Sequence, residues 1–275
     1  MEVLSTEFLM VSVTLLGAGA LTGVLAGMFG VGGGALIVPV LYEVFGSFGI
    51  PDDTRMPLAV GTSLAIIIPT SIRSWRGHRA RGAVDDALLR VWALPIVAGV
   101  LIGAAIARVA PAEVFQIVFI VVAGGNAIKL VSGSKRWKLA ADLPGGFALR
   151  AYGGVIGLLS SLMGIGGGQI ANIIMTLHGR SIHQAVATSA GIGVLISVPG
   201  ALGYVLAGLG QPGLPVDAIG FVSLTGLVLF VPTTIMTAGL GVRIAHGLSP
   251  RTLELAFGMF LMVVCLRFLF ALLAV

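Results

Sequence analysis

The sequence predicts an all-α polytopic membrane protein made of two inverted repeats, each a broken helical hairpin followed by three transmembrane helices. Three observations predict it. Of 275 residues, 57% are hydrophobic and only 10% are charged, whereas a soluble domain carries about 25% charged residues. Mean hydropathy is +1.08, and apolar runs of the roughly 20 residues that cross a bilayer recur along the whole chain. Glycine reaches 41 residues, about twice the ~7% norm, as in membrane helices that pack closely or break. A globule of this size could not cover its surface with so few charges, which excludes a soluble enzyme, a secreted disulfide scaffold and a disordered chain.

The first repeat is 1–131. Its hairpin, 9–45, is too long for one helix and slightly short for two full crossings at about 20 residues each. It is expected to break at Gly32-Gly33-Gly34 and to be followed by helices 57–72, 87–107 and 113–131. Residues 132–150, SGSKRWKLAADLPGGFALR, are the most polar stretch and read as a cytoplasmic linker. The second repeat is 151–275, with a hairpin over 151–177 broken at Gly166-Gly167-Gly168, then helices 185–207, 218–242 and 252–274. All are expected to be helical, because only helices and closed barrels satisfy their backbone in lipid. A barrel would alternate over ~10-residue segments, and these blocks do not alternate.

The repeat shows directly in the residues. GVLAGMFGVGGGALIVPVL, Gly23 to Leu41, aligns without a gap on GLLSSLMGIGGGQIANIIM, Gly157 to Met175. Ala59-Val60-Gly61-Thr62-Ser63 aligns on Ala185-Val186-Ala187-Thr188-Ser189, Val84-Asp85 on Val216-Asp217, and Pro111 on Pro250. Four matches in one order point to a duplicated unit. If every block crosses once, basic residues divide ten against five between the two sides. If each hairpin returns to its own side, Arg180, Arg243 and Arg251 change sides and the division becomes thirteen against two, with Arg267 counted in neither. The positive-inside rule prefers the second arrangement. It inverts the second half relative to the first and places both termini outside a plasma membrane.

Three consecutive glycines cannot stabilise a helix, at ~1 kcal/mol each relative to Ala. A broken backbone inside a membrane needs protein or a water-filled cavity to satisfy it. A break followed by a helix start leaves N–H groups free, and with the helix dipole these make an anion site. Two such breaks from inverted halves can point at one midplane site, so the candidate substrate contacts are Gly32, Gly33 and Gly34 with Gly166, Gly167 and Gly168. Gln169 and Asn172 are three apart and share a helix face; a helix–helix hydrogen bond is the competing role. Thr62-Ser63 and Thr188-Ser189 lie near the starts of matched helices, where hydroxyls could donate to an oxyanion or bond back to their own helix. Ser71 and Ser197 are weaker echoes of each other, and Asn126 reads as a packing group.

Other chemistries find little support. All eleven acidic residues fall in loops or near helix ends, so the buried carboxylate of a proton or sodium coupler is missing. His78, His178, His183 and His246 have no metal-site spacing. The lone Cys265 excludes an internal disulfide and a cysteine metal cluster. No cofactor is called for, and no nucleophile is framed as an enzyme's would be. The net charge of +5 sits in short loops as an orientation signal, and no aromatic-basic interleaving suggests a nucleic-acid partner. Met1-Glu2-Val3-Leu4 lacks the basic start of a signal peptide.

With the paired Gly-rich hairpins and Thr-Ser boxes in view, the chain resembles the TauE/SafE family of sulfite exporters along essentially its whole length. Arg76-Gly77-His78 with Gly82-Ala83-Val84-Asp85 resembles the loop that this family places after its Thr-Ser helix. The resemblance implies a plasma-membrane permease for a small sulfur oxyanion, sulfite or an organosulfonate, exported by alternating access. The partners so implied are that anion and the lipid bilayer. A secondary transporter or channel for another small solute or a metal ion is the alternative.

Overall fold

The computed structural model describes residues 2–29, 34–133 and 139–273. Twelve elements occupy them: α1 Glu2–Phe29, α2 Gly34–Ser47, α3 Asp52–Ala80, α4 Asp86–Ala107, α5 Ala112–Ser132, α6 Gly146–Met163, α7 Gly168–Leu177, α8 Ile182–Gly208, β1 Ala218–Ile219, β2 Val222–Ser223, α9 Leu224–His246 and α10 Pro250–Leu273. Among the described residues, seven helices are long and apolar enough to cross a membrane. Gly32 and Gly33 of the first break lie outside the described residues.

Two departures from the expected blocks have local causes. The helix expected over 57–72 runs over 29 residues, Asp52–Ala80, about 43 Å at 1.5 Å per residue. Its last turns carry Arg73, Arg76 and Arg79 beyond the apolar stretch. The block expected at 218–242 does not start as a helix. Its first residues form the antiparallel pair β1–β2, with Ala218 opposite Ser223 and Ile219 opposite Val222. The Asp217 carboxylate accepts from the Ser223 hydroxyl at 2.7 Å and the Thr225 N–H at 3.0 Å. Ser223 in turn caps α9 by accepting from the Gly226 N–H at 3.0 Å. Short polar side chains that bond nearby backbone favour turns and caps over helix interior.

Helix pairing follows an exchange between the halves. α1 packs along α9, and α6 packs along α4. α2 rests on α3 as α7 rests on α8; the well-buried helices α3 and α8 pair with each other, and α5 pairs with α10. Glycines set the closest approaches. A Cβ on Gly99 of α4 would lie 2.2 Å from the Gly154 carbonyl oxygen, and one on Gly157 of α6 would lie 2.2 Å from that of Ile96. On the matching pair, a Cβ on Gly241 of α9 would lie 1.9 Å from the Val24 carbonyl oxygen. These glycines admit a neighbouring backbone, as small residues do in membrane helix pairs.

The contacts define two opposite faces. On the first face, Tyr42 near the end of α2 accepts from Arg55 at 2.7 Å and from Gln116 at 3.2 Å. There Arg267, late in α10, pairs with Glu43 at 3.1 Å. On the second face, Arg79 meets Asp86 at 3.5 Å, and Arg251 at the head of α10 donates to the Leu130 carbonyl at 2.7 Å. The Leu139 N–H donates to the Leu177 carbonyl at 2.9 Å. The end of α7 therefore lies beside the segment that leads into α6, and α6–α7 leaves and returns to the second face.

Candidate functional site

The second glycine break is two separate devices. α6 ends in a Schellman arrangement. Gly164 has φ +64°, its N–H donates to the Ser161 carbonyl at 3.3 Å, and the Ile165 N–H donates to that of Ser160 at 3.0 Å. Gly167, at φ +69°, then turns the chain into α7 without any side-chain cap. The first intrahelical bond of α7 runs from the Ala171 N–H to the Gly167 carbonyl at 2.9 Å. The N–H groups ahead of Ala171 have no i−4 carbonyl within the helix. Both left-handed turns need glycine, since other residues pay about 1–2 kcal/mol there.

That helix start opens into a cavity of about 470 Å³ bounded by α3, α5, α7, α8, α10, the end of α1 and the start of α2. Gly166, Gly168, Gln169, Asn172 and Ser189 all line it. The Ser189 hydroxyl donates to Asn172 Oδ1 at 2.5 Å, which leaves the Asn172 amide NH2 as a donor. Gln169 is 7% exposed, and neither of its amide atoms has a partner. Buried polar groups are nearly always bonded, so an amide at a cavity wall with no protein partner is a candidate to bond a polar ligand.

The head of α2, which follows the first glycine run, meets the second break here. A Cβ on Gly34 would lie 2.8 Å from Ile165 Cα and 2.9 Å from Ile67 Cδ1, and one on Gly166 would lie 3.1 Å from Ile67 Cγ2. The head of α2 thus rests on the turn between α6 and α7, with Ile67 wedged against both. Ala35, next along α2, lines the cavity.

Three of the hydroxyl residues expected at the site face elsewhere, and the expected Gly34 and Gly167 do not line the cavity. Ser63 donates to the Gly164 carbonyl at 2.7 Å. Thr62 accepts from the Ser223 N–H at 3.0 Å, and Thr188 accepts from the Asp85 N–H at 3.0 Å. The two threonines hold equivalent segments of the opposite half, the entries to α9 and α4. Of the two Thr-Ser boxes, only Ser189 reaches the cavity. Gly167 lies beneath it, its Cβ position 2.3 Å from Ile196 Cδ1.

The cavity also recruits residues that the sequence reading gave little weight or none: Ser71, Asn126, Lys129 and Glu254. Asn126 and Lys129 are three apart at the end of an otherwise apolar run, a shared-face signal legible in the sequence. Glu254 is paired with Arg251 at 3.3 Å. Among the described residues no carboxylate lies within 4.0 Å of Lys129. Nor does any group of three His, Cys, Asp or Glu suit a metal ion among them. Among the described lining residues, Lys129, the neutral amide and hydroxyl donors and the positive start of α7 are groups that suit an anion, and the lining carboxylate Glu254 is already engaged by Arg251.

The family model described as "Sulfite exporter TauE/SafE" matches residues 15–268. A "Probable membrane transporter protein" of Haemophilus influenzae is 32% identical over 250 residues, covering 90% of this chain and 94% of its own. A protein of the same description from Methanocaldococcus jannaschii is 30% identical over 255 residues, covering 92% and 93%. No solved structure matches.

Proposed function

We propose, from the premise that this chain belongs to the TauE/SafE sulfite exporter family of membrane transporters, that it moves a small sulfur oxyanion outward across the plasma membrane. The cargo is sulfite or an organosulfonate. The observation that carries this is the Gln169 amide without a protein partner beside the uncapped start of α7, in a cavity where, among the described residues, Lys129 has no carboxylate within 4.0 Å. Backbone N–H groups and the Gln169 and Asn172 amides replace the water around the anion's oxygens, and Lys129 favours negative charge at the entrance. Neutral donors suit turnover, because binding must be weak enough to release.

Direction follows from charge. The second face gathers Arg73, Arg76, Arg79, Arg81 and Arg90 with Arg150, Arg180, Arg243 and Arg251, against Arg55, Arg108 and Arg267 at the first. By the positive-inside rule the second face is cytoplasmic. The lining of the cavity includes Ser74, Lys129, Thr176, Ile182 and Glu254, which lie in terminal turns of their helices on that face. The conformation is therefore open to the cytoplasm. A monoanion leaving down an inside-negative potential gains ~2.3 kcal/mol per 100 mV, so the potential itself favours outward movement.

The exchanged pairings α1–α9 and α6–α4 support two inverted repeats, 1–131 and 151–275, joined by a cytoplasmic linker. Rocking one repeat against the other moves the site between faces. Equilibrium binding to purified protein tests the cargo. Sulfite or a short alkyl sulfonate should bind, divalent metal ions should not compete, and Gln169→Ala should weaken binding. Metal binding that displaces sulfite would overturn the anion reading.

A further inference from the structure

We propose that Ser197 is the outward-facing counterpart of Ser71, lining the passage to the first face in the conformation in which the present cavity is closed. This rests on the alternating-access reading above. Aligning the two Thr-Ser boxes puts Ser71 and Ser197 at the same place, eight residues beyond Ser63 and Ser189. Their environments differ. Ser71 lines the open cavity, its Oγ 2.7 Å from the Cβ position of Gly193. Ser197 is 0% exposed, and its hydroxyl has no partner.

A buried helical hydroxyl ordinarily returns to its own backbone. Thr233, Thr234 and Thr237 do so, donating to carbonyls one turn back at 2.7–2.9 Å. Ser197 does not, and a buried hydroxyl left unbonded carries its full desolvation cost. A second such hydroxyl lies close by. Ser160 is also buried without a partner, and its Oγ is 3.3 Å from the Cβ position of Gly167, the position that Ile196 crowds at 2.3 Å. Unpaired polar groups thus line both sides of the break, Gln169 towards the cavity and Ser160 and Ser197 beyond it.

Residues Ser189, Gly193, Ser197, Gly200 and Tyr204 succeed one another at helical spacing along α8. The stripe leads from the cavity towards the first face. It is shut where Tyr204 donates to the Ser161 carbonyl at 3.0 Å and Ser63 donates to that of Gly164 at 2.7 Å. Release of those two bonds would part α6–α7 from α3 and α8 and open the Ser197 hydroxyl to the passage.

The single native cysteine, Cys265, makes the test direct. In a Cys265→Ala background, Ser71→Cys and Ser197→Cys are treated with a membrane-impermeant maleimide in right-side-out and inside-out vesicles. Ser71→Cys should label from the second face. Ser197→Cys should label from the first face, about tenfold faster while a sulfite gradient drives turnover, as a population shift requires. Labelling of Ser71→Cys with none of Ser197→Cys, or labelling of Ser197→Cys only from the second face, overturns the proposal. Absence of sulfite flux in wild-type vesicles would instead reject the cargo. First-face labelling of Ser197→Cys above the Cys265→Ala background would still decide accessibility. Ser197→Ala adds a functional readout: melting temperature unchanged or raised, with flux reduced several-fold. Flux equal to wild type would also overturn the proposal.

Discussion

Gly167 and Gly168 are neighbours with opposite needs. Gly167 holds φ +69° with Ile196 against its Cβ position, while a Cβ on Gly168 would come no closer than 4.0 Å, to Ser189 Cβ. Gly167→Ala should therefore cost about 1–2 kcal/mol of stability through its backbone alone, seen as a lower melting temperature. Gly168→Ala should melt like wild type and act only on ligand affinity. Asn172 is the other sensitive position, because Ser189 already occupies its oxygen and leaves the amide NH2 as the donor. Asn172→Asp replaces that donor with a negative charge of the same shape. It should weaken sulfite binding by at least about tenfold, or ~1.4 kcal/mol, in equilibrium titration. Lys129→Gln should raise KM for sulfite several-fold at low salt, and the difference should shrink as salt screens the charge. Gln169, Asn172 and Ser189 were legible in the sequence because polar residues are costly inside an apolar run and face the interior of a bundle. Thr62, Ser63 and Thr188 looked the same, yet bond to backbone across the interface. Residue type cannot separate a ligand donor from a tertiary clamp when the partner is more than one hundred residues away, as Asp85 is from Thr188.

The helices and the second glycine break were legible in outline for a physical reason: length and apolarity decide which segments cross, and consecutive glycines interrupt them. Ends were less so. Apolarity stops near residue 72, but α3 continues to Ala80, because a helix outlasts the bilayer where arginines carry it into water. The pair β1–β2 was hidden because Phe221 and Val222 are as apolar as any helix residue, while the Asp217 and Ser223 bonds that shape the turn are tertiary detail. Glycine roles also separate at this scale. Those in α4, α6, α1 and α9 permit backbone contact; those at 164 and 167 end and start helices. Gly99→Leu should abolish folded protein in detergent chromatography, since its Cβ would fall 2.2 Å from a backbone oxygen that cannot move aside. Thr188→Val keeps shape but leaves the Asp85 N–H unpaired, at about 1–3 kcal/mol. It should lower the melting temperature without changing the affinity of any protein that remains folded.

At the scale of the molecule, the duplication and the basic asymmetry are linear patterns, and a glycine run in each half let the sequence point both breaks at one midplane site. The particular contact is not a linear pattern, because nothing in the spacing places Gly34 against Ile165. Orientation gives a simple outcome: the end of α10 lies with Glu43 on the arginine-poor face, so a C-terminal alkaline phosphatase fusion should be active and a C-terminal green fluorescent fusion dark. The central claim is that the cavity at the α7 start carries the transported anion. Sulfite efflux from proteoliposomes, wild type against Gly168→Leu, tests it most directly. Leucine there fills open space rather than a packed contact, so both proteins should melt at the same temperature while efflux through the variant falls to the protein-free rate. Equal efflux through two equally folded proteins would place the route elsewhere and contradict the claim.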